Sequence, residues 1–263
     1  MANARPATIL AANLPMSTAN PILQRAAWIT SLWREKLRGD SPERQLNRRL
    51  IGYPRNHDYL LVDGKILPSP RLQYRWRRIA ELYPQPLTSL LDVGCSKGYF
   101  VLEAASRPTC KRAVGTDVDE PFVETSRRVA AQLGMKNTSF FVTALDAFAA
   151  DPSMHGEPFQ TILVLNVYHY LYAGSDMNKT SLRGHRPIME SLAKLCAIGG
   201  GVILSSPLDL RECPTQVQTH SAELGIAENY TREGFMKAAS EFFDVEDHGQ
   251  WGRRPLMILR RRS

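Results

Sequence analysis

From Pro86 onward, short apolar runs alternate with stretches of helical period, and this alternation narrows what the chain can become more than any other feature. Ser89–Val93, Arg112–Thr116, Ser139–Thr143, Phe159–Leu165 and Val202–Ser205 read as strands. Tyr99–Ser106, Pro121–Leu133, Pro187–Cys196 and Thr231–Phe242 read as helices. Phe159–Leu165 is almost continuously apolar, as a strand covered on both faces must be. Strands that alternate with helices predict an α/β fold, with a mostly parallel sheet and helices on both faces. Gly199-Gly200-Gly201 reads as the stop of a helix, and Phe243–Val245 and Leu256–Leu259 as late strands.

The chain has 263 residues, 43% of them hydrophobic, which is enough for a real core and too much for a disordered chain. No apolar run reaches about 18 residues, so no membrane-spanning helix is expected. Cys95, Cys110, Cys196 and Cys213 show neither C-x-x-C spacing nor a disulfide framework. That predicts no metal site and a reducing, cytoplasmic setting. Asn13, Pro15 and Ser17 interrupt the apolar residues of the N-terminus, unlike a signal peptide.

Residues 1–85 have a different texture. They hold 14 Lys and Arg against 6 Asp and Glu, a balance of +8, while the remainder of the chain stands at −1. Residues 1–20 read as a tail, mobile or ordered on contact. Helices are expected from Pro21 to Gly39 and over Arg71–Leu82, with a short basic stretch at about Pro42 to Leu50 and a turn at Asp63-Gly64 after Tyr59–Val62. The chain thus divides into a mostly helical, basic extension or cap over 1–85 and an α/β domain over 86–263. The basic balance suits an acidic or phosphorylated partner as well as a solvated surface. Arg71, Arg75, Arg77 and Arg78 fit either role. So does the closing run Arg260-Arg261-Arg262, as a nucleic-acid clamp or a frayed tail. Trp28, Trp33 and Trp76 fit the buried face of amphipathic helices better than a base-stacking platform.

The most informative segment is Leu90-Leu91-Asp92-Val93-Gly94-Cys95-Ser96-Lys97-Gly98-Tyr99-Phe100. A strand ends in an acid, and a turn bounded by Gly94 and Gly98 enters a helix. Glycines let the backbone pass close to a ligand, and the helix start offers free N–H groups and a positive dipole end. The second strand ends in Asp117, 25 residues after Asp92. An acid at that tip can accept hydrogen bonds from ribose hydroxyls. The pair predicts an adenosine-bearing ligand across the first two strand tips. A nicotinamide-dinucleotide site would need G-x-G-x-x-G, and a phosphate loop would need Gly-Lys-Ser/Thr; neither occurs here.

These residues resemble the class I methyltransferases that use S-adenosylmethionine, a family with an acid ending strand one, a Gly-rich turn and an acid ending strand two. The resemblance runs from about Ser89 to the C-terminus. It implies a Rossmann-like, seven-stranded sheet whose last strand is antiparallel, and S-adenosylmethionine as cofactor. The family often has Gly where Ser96 stands and begins its fourth strand with Phe-Asp, where this chain has Phe159-Gln160. The resemblance places Asp92, Gly94, Cys95, Ser96, Gly98, Asp117 and Val118 at the cofactor. It adds Asp146 and Ala147 near the adenine, and Asn166 in the turn beside the reacting methyl. Cys95 also reads as a small filler behind the loop, and Lys97 as a partner of the cofactor's carboxylate or of water.

Methyl transfer from a sulfonium mainly needs alignment and a dry pocket, with a base only where the acceptor must lose a proton. His169 is the candidate base because imidazole titrates near neutrality. Tyr168 or Tyr170 would line the acceptor pocket. The expected function is methyl transfer to an O or N atom of a small molecule beneath the N-terminal cap. The alternatives are an RNA (tRNA or rRNA) methyltransferase that uses the basic segment, and a non-catalytic nucleotide-binding module.

Overall fold

The computed structural model describes residues 21–37, 39, 41–175 and 182–263. The expected tail over 1–20 lies outside the described residues. The chain opens with α1 (Pro21–Leu37) and α2 (Pro42–Leu50), then a two-stranded hairpin of β1 (Tyr59–Val62) and β2 (Lys65–Pro68), then α3 (Pro70–Ala80). Ser41 and Ser69 cap α2 and α3 by accepting from the N–H groups of Arg44 and Leu72, and a proline follows each cap.

The alternating part follows as β3 (Ser89–Val93), α4 (Tyr99–Ala105), β4 (Arg112–Asp117), α5 (Glu120–Gln132), β5 (Thr138–Val142), α6 (Leu145–Ala150), α7 (Pro152–His155) and β6 (Phe159–Leu165). It continues with α8 (Tyr168–Ala173), α9 (His185–Leu195), β7 (Cys196–Ser205), α10 (Thr215–Glu223), α11 (Arg232–Ser240), β8 (Phe243–Trp251) and β9 (Arg254–Arg261). These strands form one seven-stranded sheet in the order β5-β4-β3-β6-β7-β9-β8. β5 through β7 are parallel neighbours, and β9 pairs antiparallel with both β7 and β8.

Alternate strand residues feed two cores, as the pleat requires. Leu91, Val93, Ile162, Val164, Val202 and Leu204 pack with α6, α8, α9 and α11. Leu90, Ala113, Leu163, Leu165 and Ile203 pack with α4 and α5, and also with Leu46, Leu50, Tyr59, Leu61, Leu72 and Ile79 from the N-terminal helices and hairpin. The N-terminal segment therefore shares a hydrophobic core with one face of the sheet. Among the described residues no helix is long and apolar enough to cross a membrane.

Several expected bounds shift. Gly199–Gly201 do not stop a helix ahead of a strand; they lie within β7. A Cβ on Gly200 would lie 2.7 Å from the Gln160 carbonyl oxygen, so the close approach of β6 asks for glycine there. β8 and β9 are longer than their apolar cores. Arg260 pairs with Glu246 and Arg262 with Asp244, so most of the basic run is tied to the closing hairpin rather than frayed. Trp28 is buried, whereas Trp33 is 61% exposed.

Candidate active site

The strand tips β3, β4 and β6 open into a cleft of about 450 Å³. Its floor is the loop after β3. Gly94 and Gly98 both have positive φ, and a Cβ on either would collide, with Val167 at 2.6 Å or with Ser126 Oγ at 2.7 Å. Ser96 takes a left-handed φ of 50°, conformational space that a glycine would enter more cheaply. The loop forms nonetheless. The Ser96 N–H donates to Asp117 Oδ2 at 2.7 Å, and its carbonyl accepts from Ser126 Oγ at 3.2 Å.

Asp117 lines the cleft at the end of β4. Oδ2 accepts from Ser96, and Oδ1 accepts from the Asp119 N–H at 3.0 Å. A carboxylate offers about four lone-pair positions, so acceptor capacity remains for two hydroxyls. Burial raises its pKa, opposed by the backbone N–H groups of Asp119 and Ser96. Val118, Phe122 and Leu145 give the cleft an apolar wall beside Asp117, and Asp146 lines the same side. Asn166 follows β6 with a left-handed φ of 63°, donates its N–H to the Ser205 carbonyl at 2.7 Å, and lines the opposite side.

Not every expected residue faces this space. Gly94, Ser96, Asp117, Val118, Asp146 and Asn166 line it. Cys95 is fully buried behind the loop, against Gly115, which makes it the filler rather than a cofactor contact. Gly98 packs against Ser126 and Phe140, and Ala147 is turned outward on α6. Asp92 lies at the tip of β3, 2% exposed, and is not among the lining residues. Burial raises its pKa to about 8, opposed by Arg75 and reinforced by Asp117.

The aromatic segment after β6 is the largest correction. Residues 168–173 form α8 rather than a turn, and its helical period sends neighbouring side chains in different directions. Tyr170 and Leu171 line the cleft. Tyr168 is fully buried, and its hydroxyl pairs with His185 Nδ1 at 2.8 Å. His169 is also fully buried, with neither ring nitrogen hydrogen-bonded. Burial lowers its pKa to about 3, with Arg254 contributing, so the ring stays neutral. Neither residue lines the cleft. His169→Leu is accordingly expected to keep activity within about twofold and to be neutral or stabilising near pH 7, since it removes unsatisfied buried polar groups. The unfolded chain binds a proton at His169 below about 6.5 and the folded chain does not until about 3. The wild type therefore loses stability as pH falls through that window, and His169→Leu should flatten this limb. Thermal melts across pH 4–8 read both effects.

The N-terminal segment supplies the wall that sequence reasoning did not find. Tyr53, Pro54, Asn56 and His57 line the cleft opposite the sheet. A fully buried lysine holds that wall to the loop: Lys97 Nζ meets Asp58 Oδ1 at 3.0 Å and donates to the carbonyls of Leu50 at 3.1 Å and Gly52 at 3.4 Å. Asp58 Oδ1 also accepts the Gly52 N–H, and the Tyr59 hydroxyl donates to the Lys97 carbonyl at 2.6 Å. Lys97 faces neither the cleft nor water.

A parallel sheet with an antiparallel closing hairpin and a cleft at its strand tips defines a Rossmann-like methyltransferase fold. A family model described as "Methyltransferase domain" matches residues 84–254, and the chain belongs to that family. The solved structure of the bifunctional kinase-methyltransferase WbdD superposes with a TM-score of 0.52 at 18% identity, over 71% of this chain and 39% of that one. The N-methyltransferase NodS from Bradyrhizobium japonicum, in complex with S-adenosyl-L-homocysteine, superposes with a TM-score of 0.50 at 21% identity, over 85% of this chain and 99% of that one. Among curated proteins, a tRNA (guanine-N(7)-)-methyltransferase of Trichormus variabilis is 30% identical over 86 residues. That match spans 33% of this chain and 38% of the relative. The cleft meets the demands of S-adenosylmethionine, the cofactor of class I methyltransferases. It has a carboxylate with spare acceptor capacity for ribose, an apolar wall for a purine, and a volume in the small-ligand range of about 300–1,000 Å³.

Proposed function

We propose that the chain is an S-adenosylmethionine-dependent methyltransferase acting on an O or N atom of a small molecule. The bound cofactor would supply an electrophilic methyl on sulfur. The chain's part is to align the acceptor and exclude water, and good alignment alone can account for about 7–11 kcal/mol of barrier. The single observation that carries the choice of acceptor is the wall at Tyr53–His57. It closes over the strand tips and leaves a cleft lined at that side by uncharged groups: Tyr53, Asn56, Tyr170, Ser175 and Gln216. His57 is no base there, because its Nε2 accepts from Arg75 and burial holds its pKa well below the usual imidazole range. The acceptor atom therefore supplies its own lone pair. This setting suits a small, mostly neutral molecule better than a folded polyanion.

A tRNA acceptor is the second reading. It is favoured by the curated relative and by the +8 balance of residues 1–85. Methyl-labelled S-adenosylmethionine, added with the protein to a size-fractionated cell extract, separates the two. Label in the small-molecule fraction, together with RNA affinity that does not change with salt, supports the first. Label in RNA, with affinity falling steeply as salt rises, overturns it.

A further inference from the structure

The wall carries a feature that the family-matched residues 84–254 do not supply. Arg75, on α3, is 8% exposed, and its guanidinium donates to His57 Nε2 at 2.9 Å and to the Leu165 carbonyl at 3.2 Å. Among the described residues no carboxylate stands within ion-pair distance of it. A buried cation outside any ion pair is costly, which marks the spot as one that an anion would relieve. His57 points the same way through different chemistry. A guanidinium can only donate, so Nε2 of His57 must be the acceptor and the neutral ring carries its proton on Nδ1. That Nδ1 is buried and has no partner, while the ring itself lines the cleft. An oriented N–H donor and a buried cation outside any ion pair therefore stand together at one end of the cleft.

The end they occupy is informative. Arg75 reaches the last residue of β6, and His57 lies beside it, whereas Asp117 ends β4 on the far side of β3. A nucleoside held by its sugar at Asp117 must extend its other end across β3 toward this pair. The carboxyl of Asp92 sits at the tip of β3, between them, and Arg75 is the charged group with the largest influence on it. The two influence each other through space without forming an ion pair.

We propose that His57, backed by Arg75, binds the α-carboxylate of the cofactor's amino-acid end, so that the N-terminal segment completes the cofactor site. His57 supplies the direct N–H donor. Arg75 fixes the tautomer of His57 and provides the charge behind it. The inference rests on the cofactor reading above. Calorimetry with two ligands tests it: S-adenosylhomocysteine, which carries the amino-acid end, and 5′-methylthioadenosine, which lacks it. The wild type should bind both. His57→Phe should weaken S-adenosylhomocysteine at least about tenfold, as the loss of one hydrogen bond to a charged group does, and leave 5′-methylthioadenosine within about twofold. His57→Asn keeps an N–H near the Nδ1 position and should recover most of the affinity. Arg75→Leu should repeat the selective loss. Equal losses for both ligands, or an unchanged affinity for S-adenosylhomocysteine in His57→Phe, overturn the proposal. A wild type that binds neither ligand overturns the cofactor reading itself, and this inference with it. Thermal melts of each variant show whether it is folded; should His57→Phe not fold, the comparison of His57→Asn with Arg75→Lys carries the test through the same ratio of affinities.

Discussion

Lys97→Met is expected to destabilise the protein by about 3–5 kcal/mol and to lower its melting temperature by roughly 10 °C. The side chain of Lys97 is 1% exposed and that of Asp58 12%. Removing the cation leaves Asp58 without its partner and takes the donor from two carbonyls, those of Leu50 and Gly52. Burial lowers the pKa of Lys97, and its contact with Asp58 opposes the shift. The ammonium has thus given up water for this one set of partners. The double variant Lys97→Met, Asp58→Leu should recover part of the loss, because replacing both members of a buried pair leaves no stranded charge. Thermal unfolding of the single and double variants measures both. A single variant that melts with the wild type would show that the contact contributes nothing.

Asp117→Ala is expected to reduce affinity for S-adenosylhomocysteine by about 100-fold or more, at a stability cost of only about 1 kcal/mol. Two hydrogen bonds from ribose hydroxyls to a carboxylate account for the size of the binding effect. The modest stability cost follows from opposing terms. The substitution removes a partly desolvated carboxyl whose pKa burial has raised, and it also strands the N–H groups of Ser96 and Asp119. Asp117→Asn should fall between, since the amide keeps one oxygen. Calorimetry on folded protein is the measurement, and an affinity unchanged in Asp117→Ala would sink the assignment of the sugar to that strand tip.

The parts of the fold that sequence alone disclosed share one property: local pattern decides them. Ser89–Val93 and Phe159–Leu165 are strands with the bounds read from their apolar runs, because both faces are covered and all their residues but the half-buried Ser89 and Gln160 are buried. β8 is a nine-residue strand of which only the first few residues read as one, since Glu246 to Gln250 are exposed and polar. The donor loop was legible through its glycines and its two acids. What escaped was whatever depends on distant contacts. Nothing local in Tyr53–His57 indicates that it will face the strand tips, or that Lys97 will turn away from the cleft to meet Asp58. His169 and Tyr168 are picked out by their chemistry and their position after the fourth strand, which do not settle the direction of a side chain. In an extended turn 168 and 170 would share a side, and 169 the other; the helix instead brings Tyr170 and Leu171 to the cleft and turns Tyr168 and His169 inward.

The ionic contact between Asp58 and Lys97 bears on how this protein can be recombined with its kin. One partner belongs to the stretch ahead of the family-matched residues and the other to the glycine loop at their heart. A chimera that imported a foreign lead segment onto this sheet would inherit a lysine with nothing to neutralise it. Grafting in the opposite direction would carry over an aspartate with the same defect. The lead segment and position 97 therefore have to be exchanged as a unit, and so selectivity for new acceptors is better sought by varying the rim than by swapping the whole wall.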